Sequence, residues 1–229
     1  MSVSENWSKL QARAAAAAKR AGRRPGDVTI LPVSKTFSAA VVREAYDAGL
    51  RMFGENYIQE ALAKMEELPG DIQWHMIGHL QSNKARHAAG RFTLIHSLDS
   101  IHLAQELDKQ AAKRGVRQPV LLQVNIADED TKFGFEPAQV QDATGEMSEL
   151  EHLELRGLMT IGPLASNPED VRWVFKELRS LRDKVQAQFP ELTLRELSMG
   201  MTGDFEVAIE EGATMVRVGR AIFGERHTA

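Results

Sequence analysis

Lys35 ends a short apolar run, VTILPVSKT, that covers Val28–Thr36. Val28, Ile30, Leu31 and Val33 read as a buried strand rich in branched side chains, which delivers the lysine to its C-terminal mouth. Partly apolar surroundings there disfavour an ammonium and make the amine a better nucleophile for a carbonyl. The plain alternative is a strand-end lysine that reaches out to water. Two further stretches carry chemistry. Ser198-Met199-Gly200-Met201-Thr202-Gly203 is rich in small residues and leads into a helix near Asp204, and Val218-Gly219-Arg220 also leads into a helix. Such loops leave backbone N–H groups for a phosphate, or serve tight turns only. Arg217 stands between them, as an inward-facing cation or as an ion-pair partner of Glu55 or Glu196.

These residues need a frame, and the hydrophobic pattern supplies one. Strands are expected at 28–34, 50–56, 72–78, 92–98, 119–126, 153–161, 192–199 and 214–218. Helices are expected at 1–24, 38–49, 57–68, 83–89, 99–113, 137–150, 167–189, 204–211 and 221–224. Ser38, Asp99 or Ser100, and Asn167 with Pro168, are the expected helix openers; Gly49 and Gly212 are the expected stops. Trp7, Leu10, Ala14, Ala17 and Ala21 form one apolar stripe on the first helix. Strands that are apolar almost throughout, alternating with helices, imply a parallel sheet covered on both faces. Eight repeats in about 200 residues point to a (β/α)8 TIM barrel with an extra N-terminal helix; a doubly wound open sheet is the alternative. The expected organisation is one domain over 1–229, with the N-terminal helix at 1–24 and the barrel at 28–225.

Composition narrows the function classes. The 229 residues are 43% hydrophobic and 26% charged, as in an ordinary globular protein, with a net charge of -4 that offers no basic footprint for nucleic acid. There are no cysteines, which excludes disulfides, thiolate metal sites and cysteine nucleophiles. No apolar run approaches the roughly 20 residues that span a bilayer. The alanine run Ala14–Ala18 is flanked closely by Arg13, Lys19 and Arg20, so a helix is expected there rather than a targeting signal. A cytosolic location and a monomer are the expectations. No GxGxxG or Walker-type loop is present. His75 and His79, at i and i+4 across a strand end, are not a metal pair. Glu66-Glu67, Asp128–Asp130 and Glu210-Glu211 read as solvated surface, and Met199 and Met201 as packing residues.

In a barrel of this kind the active face lies at the strand C-termini. The strands bring there Lys35, Glu55-Asn56, Gly78-His79, Asn125, Met159-Thr160, the Ser198–Gly203 loop, and Arg217 with Gly219-Arg220. An aldehyde-capturing lysine on one side and a phosphate cradle on the other are the two anchors of pyridoxal 5′-phosphate. Arg217 would then face the pyridine nitrogen.

The same residues carry a family resemblance. VSKT (Val33–Thr36), FGENYIQE (Phe53–Glu60), WHMIGHLQSNK (Trp74–Lys84), LLQVNI (Leu121–Ile126), KFG (Lys132–Gly134), RGLMTI (Arg156–Ile161), LSMGM (Leu197–Met201) and MVRVGRAIFG (Met215–Gly224) together resemble the YggS/PROSC family of pyridoxal phosphate homeostasis proteins. The similarity spans almost the whole chain. It implies a barrel like the N-terminal domain of alanine racemase, without that enzyme's second domain. It implies a Schiff base on Lys35, a pocket-lining role for Asn56, a phosphate cradle from Ser198, Gly200, Gly219 and Arg220, and Arg217 at the ring nitrogen. Gly203 and Arg220 depart from the family pattern, in which a polar or acidic residue and a threonine are common. An arginine at 220 binds phosphate by charge or points outward and leaves the backbone N–H to do so.

The resemblance further implies a cofactor-handling protein in vitamin B6 and amino-acid homeostasis, with apoenzymes that need the cofactor as candidate partners. The residues agree with a carrier. An always-charged arginine at the ring nitrogen disfavours the pyridinium and weakens the ring as an electron sink. A racemase also needs a base opposite the lysine, and the only tyrosines are Tyr46, placed mid-helix, and Tyr57, next to Asn56. A pyridoxal phosphate-dependent racemase and a cofactor-free Schiff-base aldolase are the alternatives.

Overall fold

The computed structural model describes residues 2–128 and 133–224. Lys132 of the KFG stretch, Glu129 and Asp130 of the acidic run, Met1 and residue 225 at the expected barrel boundary lie outside the described residues. Eight strands form one parallel sheet: β1 (Thr29–Pro32), β2 (Met52–Glu55), β3 (Gln73–Met76), β4 (Leu94–Leu98), β5 (Gln118–Gln123), β6 (Leu153–Met159), β7 (Glu196–Ser198) and β8 (Met215–Val218). Their spatial order is β1-β8-β7-β6-β5-β4-β3-β2, so β2 to β8 pair in succession and β1 meets β8. A parallel bridge between Val33 and Gly54 joins β1 to β2, and the Ser34 N–H donates to Gly54 O at 3.0 Å. The sheet therefore closes just before Lys35, which excludes the doubly wound alternative.

Alternation along the strands sorts their side chains. Phe53, Trp74, Ile95, Val120, Leu122, Leu158, Leu197 and Val216 face the helices and belong to the larger apolar core. Leu31, Val33, Ile77, Leu94, Leu121, Met159 and Met215 form a separate cluster inside the barrel. Buried His75, His96, Ser198 and Arg217 share this inner set by strand parity. The apolar strand pattern thus concealed a barrel interior that is partly polar.

The helices that follow the strands are α2 (Ala39–Asp47), α3 (Ile58–Glu67), α4 (Ala85–Ala88), α5 (Ile101–Arg114), α6 (Val140–Ser148), α7 (Arg172–Gln188), α8 (Phe205–Glu210) and α9 (Arg220–Phe223). Ser100 caps α5 by accepting from the Leu103 N–H, and Gly115 ends it at φ 64°. Ser38 precedes α2, but its hydroxyl makes no capping bond. Asn167 caps a single 3-10 turn, so α7 starts four residues later than the Asn-Pro signal implies. The expected strand at 192–199 shrinks to Glu196–Ser198, because Leu192 and Leu194 pack in a loop tied to Gln186.

The extra N-terminal helix is α1 (Val3–Arg20), with a capping box between Ser2 and Glu5. It buries Leu10, Ala14, Ala17 and Ala18 and lies along α8. Arg13 and Arg20 pair with Glu206 and Glu210, and Arg172 binds Glu210 and Glu211 at 2.7 and 2.9 Å. Glu210 and Glu211 are therefore partners in an arginine network rather than plain solvated surface. No helix among the described residues is long and apolar enough to cross a membrane.

Candidate cofactor site

Strand β1 ends in a turn in which Lys35 is half-buried and Phe37 N–H returns to Ser34 O at 3.1 Å. The next residue, Thr36, has φ 68°, a left-handed conformation uncommon for a residue with a branched side chain. Lys35 lines a cavity of about 310 Å3 together with Asn56, Asp204, Arg217, Gly219 and Arg220. That volume lies in the range of small-molecule sites. Ile77, Ile161 and Met201 give it apolar walls.

Five of the seven expected site residues meet in this cavity: Lys35, Asn56, Arg217, Gly219 and Arg220. Ser198 and Gly200 are not among its lining residues. Ser198 is fully buried beneath it, while Gly200 shapes the loop. Gly200 has φ 91°, and a Cβ there would overlap Ala208. Its carbonyl accepts the Arg217 N–H at 2.9 Å, which locks the loop after β7 onto β8. Thr202 and Gly203 form the cavity wall instead. The backbone N–H groups of Thr202, Gly203, Arg220 and Ala221 make no hydrogen bond among the described residues. A Cβ on Gly78 would overlap the Asn56 backbone, so that glycine lets the chain after β3 approach Asn56 closely.

Arg217 is 5% exposed and pairs with neither Glu55 nor Glu196. Its Nη1 donates to Ser198 Oγ and its Nη2 to Thr160 O, both at 2.8 Å. Burial pulls its pKa down to about 10, which leaves the guanidinium charged at neutral pH. Asp204 partly offsets that burial, and burial in turn raises the Asp204 pKa. The polar chain continues inward. Ser198 Oγ lies 2.8 Å from His96 Nδ1, and His96 Nε2 lies 2.9 Å from His75 Nδ1. Burial holds His75 at about 4 and His96 well below the ordinary histidine range, so both are neutral. With Arg217 donating into it, the Ser198 hydroxyl is free to donate to His96 Nδ1. His96 Nε2–H then serves His75 Nδ1, and His75 Nε2 is left without a partner.

A second network lies outside the barrel wall, behind Lys35. Lys64 Nζ donates to Glu55 Oε1, Glu60 Oε1 and Ser34 O at 2.7, 2.7 and 2.8 Å. Burial raises the pKa of Glu55, and the charge of Lys64 opposes that rise. Neither Lys64 nor His96 was legible as a site residue. Lys64 did leave a signal, because it falls on the buried stripe of α3 with Ile58 and Ala61.

A larger neighbouring cavity, about 460 Å3, shares Asn56, Ile77 and Ile161 but contains neither Lys35 nor Arg217. Tyr57, 58% exposed, lines this neighbour rather than the lysine cavity. His79 also lines it, bound to Asp99 at 2.7 Å and stacked on Phe133. Among the described residues no three His, Cys, Asp or Glu side chains group as a metal site.

Residues 6–227 match the family described as alanine racemase, N-terminal domain. A pyridoxal phosphate homeostasis protein of Aquifex aeolicus is 47% identical over 227 residues, covering 99% of both chains. One from Pseudomonas aeruginosa is 44% identical over 98% of this chain and 96% of its own. The structure of PipY from Synechococcus elongatus with pyridoxal phosphate bound superposes with a TM-score of 0.85. It is 40% identical and covers 97% of this chain and 100% of its own. An alanine racemase of Clostridium difficile shares the fold, with a TM-score of 0.71 at 14% identity over 88% of this chain and 53% of its own. A closed parallel barrel with a lysine at the mouth of β1 and an arginine on β8, matched over almost its full length to these relatives, places this chain in the pyridoxal phosphate homeostasis protein family.

Proposed function

We propose that this chain binds pyridoxal 5′-phosphate in the Lys35–Arg217 cavity and serves its homeostasis as a one-domain carrier without catalytic turnover. The observation that carries the reading is the meeting of three kinds of residue on one cavity: Lys35, Arg217, and the stretch of Thr202, Gly203 and Arg220, whose backbone N–H groups make no hydrogen bond among the described residues. The cofactor supplies an aldehyde for a Schiff base and a ring that accepts electron density. Lys35 provides the amine. The N–H groups bind phosphate without needing the exposed Arg220 side chain, and Ser198 supports the site from below by holding Arg217.

Arg217 disfavours protonation of a ring nitrogen beside it, because its charge persists at neutral pH. Among the cavity-lining residues Asp204 is the one carboxylate, and its Oδ1 is engaged by the Met201 N–H. Tyr57, the candidate second base of a racemase, belongs to the neighbouring cavity. Apoenzymes that require the cofactor are the proposed recipients.

The test is the visible spectrum of the purified protein before and after borohydride, with mass mapping of the reduced adduct. A pyridoxyl group on Lys35 supports the assignment. A colourless protein that takes up no added cofactor refutes it.

A further inference from the structure

We propose that Glu60 and Lys64 of α3 are positioning residues for Lys35, because they grip the two peptide groups on either side of it. Lys64 Nζ donates to the carbonyl of Ser34 at 2.8 Å. Glu60 Oε1 accepts the N–H of Thr36 at 2.7 Å. The two side chains also bind each other at 2.7 Å, so the grip is one unit that spans Lys35. Glu55 completes it from β2, accepting from Lys64 at 2.7 Å and from the Ser34 hydroxyl at 2.6 Å. The inference rests on the reading that Lys35 carries the cofactor amine.

Lys64 has a side chain only 5% exposed, and its ion-pair partner Glu55 is fully buried. Taking these charges out of water is costly, and apolar side chains of similar size often stabilise a fold as well or better. The arrangement is also more than a surface i,i+4 pair, which would end at the helix. Here the pair reaches main chain 24 and 30 residues away, at the one turn that carries the nucleophile. That turn holds Thr36 at φ 68°, and such backbone persists where its surroundings over-determine it. The dihedrals of residues 34–36 set where the Lys35 side chain departs. A displacement of about 1 Å at a reacting group can cost on the order of a hundredfold in rate.

The test compares Glu60→Ala and Glu60→Gln with the wild-type chain in two measurements. The first is amide hydrogen exchange at Thr36 in the cofactor-free full chain. The second is stopped-flow absorbance on mixing with pyridoxal 5′-phosphate, which separates the half-saturating concentration from the limiting rate of the covalent step. In Glu60→Ala, Thr36 exchange should rise and the limiting rate should fall, each about tenfold, with half-saturation within about twofold. Glu60→Gln keeps an acceptor oxygen and should restore both to within about twofold. A Glu60→Ala chain whose Thr36 exchange rises while its limiting rate stays at the wild-type value overturns the proposal. A wild-type chain that forms no adduct at Lys35 refutes the cofactor reading instead. Thr36 exchange then decides whether Glu60 holds the turn.

Discussion

Arg217 donates an Nη1–H hydrogen bond to Ser198 Oγ at 2.8 Å inside the barrel, where Ser198 is fully buried. Ser198 therefore acts below the cavity: it holds the guanidinium that lines it. Ser198→Ala removes that acceptor and also the partner of His96 Nδ1. Leaving a buried charged donor unpaired costs about 2 kcal/mol or more. Urea unfolding should show a lower midpoint with an unchanged slope. The bound cofactor should also shift its absorption maximum as Arg217 relaxes. A spectrum and midpoint equal to wild type would show that the contact contributes nothing.

Arg217→Glu tests the ring-nitrogen assignment. A carboxylate in place of the guanidinium favours a protonated ring where the arginine disfavours it. The expected outcome is weaker cofactor binding, or an absorption band moved toward the protonated-ring form, read by titration and visible spectroscopy. Affinity and spectrum both unchanged would mean that Arg217 does not face the ring.

Lys35→Ala separates covalent from phosphate-anchored binding. Borohydride should trap no pyridoxyl group at position 35, while equilibrium dialysis still detects bound cofactor held by the 202–203 and 220–221 N–H groups. Trapped cofactor in full yield on another residue would move the nucleophile elsewhere.

The two buried histidines make stability depend on pH in one direction. Unfolded, each titrates near its ordinary value; folded, His75 titrates at about 4 and His96 well below its ordinary value. Between these limits the unfolded chain binds more protons, so stability is full above about pH 6.5 and falls as pH drops toward 4. Each histidine contributes a slope of about 1.4 kcal/mol per pH unit in that window. Ser198 is the polar side chain bonded to the pair and Arg217 the charge acting on His96, and neither is a carboxylate. Glu55, Asp99 and Asp204 have raised pKa values and act in the opposite sense at the acid end. Urea midpoints at pH 7.5 and 5.5 should differ clearly in the wild type and by less in His75→Phe. Equal differences would mean that His75 is not held neutral.

The sequence alone determined the alternation of strands and helices, because side-chain periodicity is a local property that burial enforces along the chain; closure into a barrel rather than a doubly wound sheet was decided by the pairing of β1 with β2 and β8. It also determined where Lys35, Asn56 and Arg217 fall, since a residue at a parallel strand's C-terminal end has one place to go in a barrel. Strand ends were less legible: Leu192 and Leu194 look like strand residues, yet Gln186 of α7 ties their backbone into a loop.

Only the tertiary structure decided what those residues touch. Arg217 chose Ser198 and Thr160 over two carboxylates because the inner strand parity places Ser198 beside it, while Glu55 points outward to Lys64. Lys64 and Glu60 look like an ordinary helix pair until α3 packs against the closure of β1 on β2 and brings Ser34 and Thr36 within reach. Such contacts join residues far apart in the chain, so their partners are fixed by the packing of elements and not by any local pattern.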